Sequence, residues 1–275
     1  EASLQRYLAL VPSAQDEAGL RGRTEAFVAL AQIAEKRKDF AAAGLWLDRI
    51  ENQDERITTT VRRASLLARQ GKLDQARGLI RDWPERTPAD ARNKLMAEVQ
   101  LLRDNGKAEV AFELLSAAIE RRPEDFDLLY DQALIAEKLG NYEAMERLLR
   151  QLMAVRPDYH HAYNALGYSF ADRNVRLDEA RTLVNKALEY APEDPMIRDS
   201  LGWLEFRSGN TAEALRILQD AYKARPDADI AAHLGEVLWS DGQKEKALTI
   251  WKEGLLLGSD NDTLAETLKR LQVKP

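Results

Sequence analysis

Few residues in this chain could do chemistry, and their spacing narrows the choice further. Histidine occurs three times, as the adjacent pair His160-His161 and as His233. Neighbouring side chains on a helix point in different directions, whereas a metal favours the i, i+4 pair, so His160 and His161 do not make a shared site. With His233 far off in sequence, no metal centre is expected. Cysteine is absent, which removes thiolate nucleophiles, disulfides, Cys-ligated zinc and iron–sulfur clusters together. The 46 Asp and Glu give many carboxylate pairs at helical spacing, but at that abundance such pairs are the mark of solvated helix faces. No G-x-S-x-G, Walker loop, G-x-G-x-x-G, H-E-x-x-H or kinase set occurs. The expected chemistry is therefore binding, with no catalytic residues and no cofactor.

The elements that would position a binding surface follow from composition and period. In 275 residues, 40 Lys and Arg against 46 Asp and Glu give a net charge of −6, and 45% hydrophobic residues suffice for a sizeable core. A general nucleic-acid binder would be basic, so nucleic acid is not expected as a partner. Gly (14) and Pro (9) are too sparse for long linkers. No apolar run approaches the roughly 18 residues that span a bilayer, so no transmembrane segment is expected. The start Glu1-Ala2-Ser3 has neither an initiator Met nor a signal peptide and reads as a mature or trimmed chain.

One spacing organises the whole chain. Ala43, Ala76, Ala111, Met145, Ala180, Ala214 and Ala247 recur every 33 to 35 residues. Five residues earlier stand Lys38, Gly71, Gly106, Gly140, Gly209 and Gly242, with the fifth repeat departing at Val175. Twelve residues later stand Glu55, Pro88, Pro123, Pro157, Pro192, Pro226 and Ser259. Gly supplies the dihedrals of a tight turn and Pro ends a helix interior, so each unit reads as two antiparallel helices. A second small column, Ala31, Ala64, Ala133, Gly167, Gly202 and Gly235, lets the helices of a pair approach closely, with Val99 as the bulkier exception.

These columns resemble the tetratricopeptide repeat (TPR), a helical hairpin of about 34 residues. The resemblance implies an all-α, right-handed superhelix of about seven hairpins plus a capping helix. Residues 1–22 are expected to hold the remnant of a preceding repeat (Leu4, Tyr7, Pro12) and a joint over Ser13–Gly22. Residues 23–259 are expected to hold seven units, and 260–275 a cap centred on Thr263–Leu271. In such superhelices the first helix of each hairpin builds the concave wall. That placement projects Met96, Gln100, Arg103, Asp127, Leu134, Glu137, His161 and Glu236 onto the wall. It also projects the expected peptide-binding set: Tyr130, Asn164, Tyr168, Asp199, Trp203, Phe206 and Trp239. Aromatic side chains are what buried interface anchors usually are. Asp199 and Asp127 beside Asn164 argue against a clamp for a peptide carboxylate and favour neutral or basic segments.

The stretches Ala162–Tyr168, Ala171–Arg173, Leu177–Ala180, Asp199–Trp203 and Ile230–Trp239 are similar to a block in proteobacterial outer-membrane TPR lipoproteins. Among these proteins is the adaptor and activator of a periplasmic carboxyl-terminal processing protease. The resemblance implies a non-enzymatic scaffold that brings such a protease to cell-wall hydrolase substrates. It also implies a periplasmic location, with a lipid anchor upstream of Glu1; a cytoplasmic location is the alternative. Two other functions are weighed: a self-associating envelope subunit that meets its copies through the N-terminal end, and the TPR part of a larger enzyme.

Overall fold

The computed structural model describes residues 1–11, 17–50 and 57–275. Pro12 and residues 13–16 of the expected joint, together with Glu55, lie outside the described residues. Among the described residues every regular element is a helix. They form two compact units, residues 1–121 and 122–275.

The first unit contains α1 (Ala2–Leu10) and three hairpins: α2 (Glu17–Lys36) with α3 (Phe40–Leu47), α4 (Ile57–Arg69) with α5 (Leu73–Asp82), and α6 (Pro88–Asp104) with α7 (Ala108–Arg121). The expected joint is helical from Glu17 onward, because α2 begins there. The second unit contains four hairpins: α8 (Asp127–Lys138) with α9 (Tyr142–Val155), α10 (His160–Asp172) with α11 (Leu177–Tyr190), α12 (Pro195–Arg207) with α13 (Thr211–Ala224), and α14 (Ala228–Ser240) with α15 (Lys244–Leu257). A final helix, α16 (Asp262–Leu271), packs chiefly on α14. This is the TPR arrangement of seven hairpins and a last helix.

The sequence columns become the core. Ala43, Ala76, Ala111, Met145, Ala180, Ala214 and Ala247 are all 0% exposed, so Met145 occupies a site that takes Ala in the other repeats. Each hairpin turn needs one residue with positive φ. Gly supplies it at Gly71, Gly106, Gly140, Gly209 and Gly242, while Lys38 takes it up at φ 61° and the fifth turn uses Asn174 and Arg176. Lys38 is exposed, and only the turn requires its left-handed backbone.

The second column sets helix separation. A Cβ on Gly167 would meet Val184 Cγ2 at 2.7 Å, one on Gly202 would meet Leu218 Cγ at 2.6 Å, and one on Gly235 would run into the Trp251 indole. The last three hairpins therefore exchange a first-helix side chain for a larger one on the second helix. α14, held between neighbours on several sides, buries ten of its thirteen residues. Side-chain caps fix where α12 and α14 begin: Asp194 Oδ1 accepts from Met196 N at 2.8 Å, and Asp227 Oδ1 accepts from Asp229 N at 2.9 Å.

Two substitutions check this reading. Lys38→Gly removes the left-handed strain and is expected to stabilise the first unit by about 1 kcal/mol. Gly235→Ala forces the Trp251 indole aside and is expected to cost about 1–3 kcal/mol. Urea denaturation followed by circular dichroism reads both. A neutral Gly235→Ala would mean that α14 and α15 have slack at their crossing.

Candidate functional site

The first helices of all four hairpins in the second unit, together with α16, line one open cavity of about 220 Å3. α8 contributes Tyr130, Leu134 and Glu137, and α10 contributes Asn164 and Tyr168. α12 contributes Met196, Asp199 and Ser200, α14 contributes Asp229 and His233, and α16 contributes Thr263. The repeat explains this convergence: Tyr130, Asn164 and Asp199 stand three residues before Ala133, Gly167 and Gly202, so one register position recurs on three successive helices.

At the centre is a buried hydrogen-bonded chain. His233 is 3% exposed, its Nδ1 lies 2.8 Å from Asp199 Oδ2, and its Nε2 lies 3.1 Å from the Tyr168 hydroxyl. A carboxylate can only accept, so Nδ1–H donates to Asp199; the Tyr168 hydroxyl donates to Nε2 when the ring is neutral and accepts from it when the ring is charged. The ring stacks on Trp203 with centroids 4.5 Å apart and planes 24° apart. Burial alone would depress the His233 pKa, but the adjoining Asp199 carboxylate, with Asp172 and Asp229 behind it, raises it above 6.5. Burial pushes the Tyr168 hydroxyl well above the usual phenol range and the Tyr130 hydroxyl up to about 12, so neither is an anionic nucleophile near neutrality.

An acid–histidine pair invites comparison with a hydrolytic triad, and the geometry answers it. Both ring nitrogens of His233 are engaged, and the Ser200 hydroxyl donates to Met196 O at 3.2 Å. The chain acts as a strut that ties α10, α12 and α14 together across the cavity. α16 closes one side through Asn261 Nδ2 donating to Asp229 Oδ1 at 3.1 Å and through the ion pairs Lys138–Asp262 and Arg270–Glu236, each at 2.5 Å.

Of the residues projected from sequence, Tyr130, Asn164, Tyr168 and Asp199 line the cavity, as do Leu134 and Glu137. The placement of Trp203 on the groove wall is corrected. Trp203 is 3% exposed, with its Nε1–H donating to Asp172 Oδ1 at 3.2 Å, and Phe206 packs against it with centroids 5.4 Å apart. Trp239 is half-buried on Trp251, 5.6 Å between centroids. Trp203 fills space between helices, which aromatics at helical spacing do as readily as they face a groove, while Phe206 and Trp239 stay half-buried and off the cavity lining. Met96, Gln100 and Arg103 lie on α6 of the first unit, His161 sits exposed beside Tyr130 and Tyr159, and Glu236 is buried against Arg270. Sequence reasoning missed His233 and Asp229. The signal for His233 was its separation of 34 residues, one full period, from Asp199.

The tetratricopeptide repeat family model matches residues 96–144, 143–195 and 200–260, together more than half of the chain. The chain belongs to the TPR family. It is 37% identical over 242 residues to a TPR repeat-containing protein of Pseudomonas aeruginosa, an alignment that covers 88% of this chain and 41% of that protein. It is 24% identical over 168 residues to a TPR repeat-containing protein of Bacillus subtilis, covering 61% of this chain and 40% of that protein. The chain thus spans about two fifths of the length of the curated relatives it matches. Two solved structures share the fold. A TPR protein from Parabacteroides merdae has a TM-score of 0.62 at 19% identity, covering 91% of this chain and 99% of that one. Yeast Tom70 has a TM-score of 0.65 at 15% identity, covering 98% and 57%.

The His233 environment fixes a pH dependence. A proton held more tightly in the folded state stabilises the fold below the unfolded pKa of about 6.5, and that contribution fades as pH rises through the raised folded value. The groups that bear on the ring are Tyr168 and Asp199 by direct contact, from α10 and α12, and the charges of Asp172 on α10 and Asp229 on α14. Asp199→Asn should therefore cost about 3 kcal/mol near pH 6 and less near pH 9. Denaturation at both values reads it, and a pH-independent cost would contradict the assignment.

Proposed function

We propose that the second unit holds an extended segment of a partner protein along the wall built by α8, α10, α12 and α14. The observation that carries this is the cavity itself, a preformed recess to which four successive repeats and α16 each contribute side chains. A recess fixed by helix packing costs little ordering on binding. The TPR fold is consistent with a protein-binding scaffold, and among the described residues no group of His, Asp and Glu is placed to hold a metal ion.

Within that scaffold role, the reading favoured by the sequence block of residues 162–239 is a non-enzymatic adaptor. It would hold a periplasmic carboxyl-terminal processing protease and a cell-wall hydrolase together, with gain through effective concentration. The setting proposed is the periplasmic face of an outer membrane, with the chain tethered by lipid. Among the described residues no helix is long and apolar enough to cross a membrane.

A second reading rests on α1, which buries none of its residues and leaves Tyr7 36% and Leu10 76% exposed. Such a face suits contact with another copy of the chain, and sedimentation at increasing concentration separates it from the adaptor reading.

The test is affinity capture from a proteobacterial envelope extract, comparing wild type with the Tyr130→Ala/Asn164→Ala variant and with Tyr222→Ala, a change on the second helix α13. Recovery of a carboxyl-terminal processing protease or a cell-wall hydrolase by wild type and Tyr222→Ala, and loss with the double variant, is the expected result. Equal recovery by all three moves the site off this wall. Failure to recover either enzyme class rejects the adaptor reading.

A further inference from the structure

Buried carboxylates in this protein follow a rule. Glu98 pairs with Arg77 and Arg81, Glu205 with Arg181, Glu236 with Arg270, and Asp199 with His233. Each of these four carboxylates is 7% exposed or less. An unpaired charge taken out of water is costly, so a protein supplies the counter-charge itself. Glu137 and Asp229 break the rule. Both line the cavity, both are partly buried, and neither makes an ion pair with any described residue. Burial raises the Glu137 pKa, as expected of a carboxylate short of a cation. Arg173, whose charge partly offsets that rise, is engaged elsewhere: its Nε donates to Ser169 O at 3.1 Å and its guanidinium carbon lies 4.1 Å from the Tyr142 ring centroid.

Asn164 lines the cavity, although its side-chain oxygen is itself buried and without a hydrogen-bond partner. Tyr130 and Tyr168 contribute aromatic walls, which attract a cation through their ring quadrupoles. Charge is distributed to match: residues 122–275 carry 20 Lys and Arg against 27 Asp and Glu, a net −7, whereas residues 1–121 carry 20 against 19. The cavity thus offers carboxylates and rings, with the one ionisable nitrogen among its lining residues, on His233, already committed to Asp199 and Tyr168.

Resting on the peptide-groove reading above, we infer that this cavity is a specificity pocket for a basic side chain, arginine or lysine, of the bound segment. Glu137 and Asp229 supply the counter-charge, and the Tyr130 ring packs on the aliphatic stem. A carboxylate or acidic side chain is excluded by the same groups.

The probes are blocked pentapeptides of alanine with arginine, lysine, citrulline, norleucine or glutamate at the centre, titrated into the full chain and followed by the ring resonances of Tyr130 and His233. The arginine and lysine peptides should bind saturably and at least tenfold more tightly than the citrulline, norleucine and glutamate ones, with affinity falling as salt rises. Glu137→Gln and Asp229→Asn should each weaken the basic peptides about tenfold with the thermal melt retained, and Asp220→Asn on α13 should leave them unchanged. Equal binding of citrulline and arginine peptides, full affinity in Glu137→Gln and Asp229→Asn, or no saturable binding of the arginine peptide at millimolar concentration would each overturn the inference. Partner capture that still depends on Tyr130 and Asn164 would then keep the groove and reject only the cation. Cation selectivity without groove-dependent capture would leave a small-cation site and reject the peptide groove.

Discussion

How closely two helices of a hairpin can approach governs everything in residues 122–275. Gly167, Gly202 and Gly235 let Val184, Leu218 and Trp251 sit against the first helix where a Cβ would otherwise stand. That contact fixes the rotation of α10, α12 and α14 about their axes. Once it is fixed, the opposite stripe of each helix has one direction to face. Asn164, Asp199 and His233 converge because their helices are held from behind. Packing at the small-residue column and polar geometry at the cavity are thus one constraint seen from two sides.

The period made the hairpins readable from sequence. Gly or its substitute at each turn, Ala at the point of closest packing in all units but one and Pro after five of the seven second helices are demands that few other residues meet, and they repeat often enough to fix a phase. The same phase placed Tyr130, Asn164, Tyr168 and Asp199 on one wall. It failed for Trp203, since helical spacing says which stripe a residue occupies but not how near the next helix lies. Where α14 presses close, Trp203 is covered and stacks on His233. His233 was passed over because a lone histidine gives no local signal, and its partner stands one repeat away. Lys38 shows the reverse case: the turn imposes its backbone whether or not the residue suits it.

Electrostatics then separates strut from pocket. Asp199, Glu205 and Glu236 have their charges answered inside the fold and serve to bind one helix to another. Glu137 and Asp229 face the open recess without such an answer, so the proposed ligand chemistry follows from what the protein leaves uncompensated. The TPR hairpin determines where side chains point, and these few residues determine what they attract. His233, the residue most suggestive of catalysis, has both ring nitrogens engaged and holds three helices together.

Photo-crosslinking tests the central claim, that a partner is held on the first-helix wall of the second unit. A photoreactive amino acid placed at Leu134, half-buried in the cavity on α8, is compared with one at Tyr190, exposed on the second helix α11. The account predicts that a carboxyl-terminal processing protease or its hydrolase substrate, added to the full chain, is captured from position 134 and not from 190. Capture from 190 alone would place the partner on the other face and contradict it.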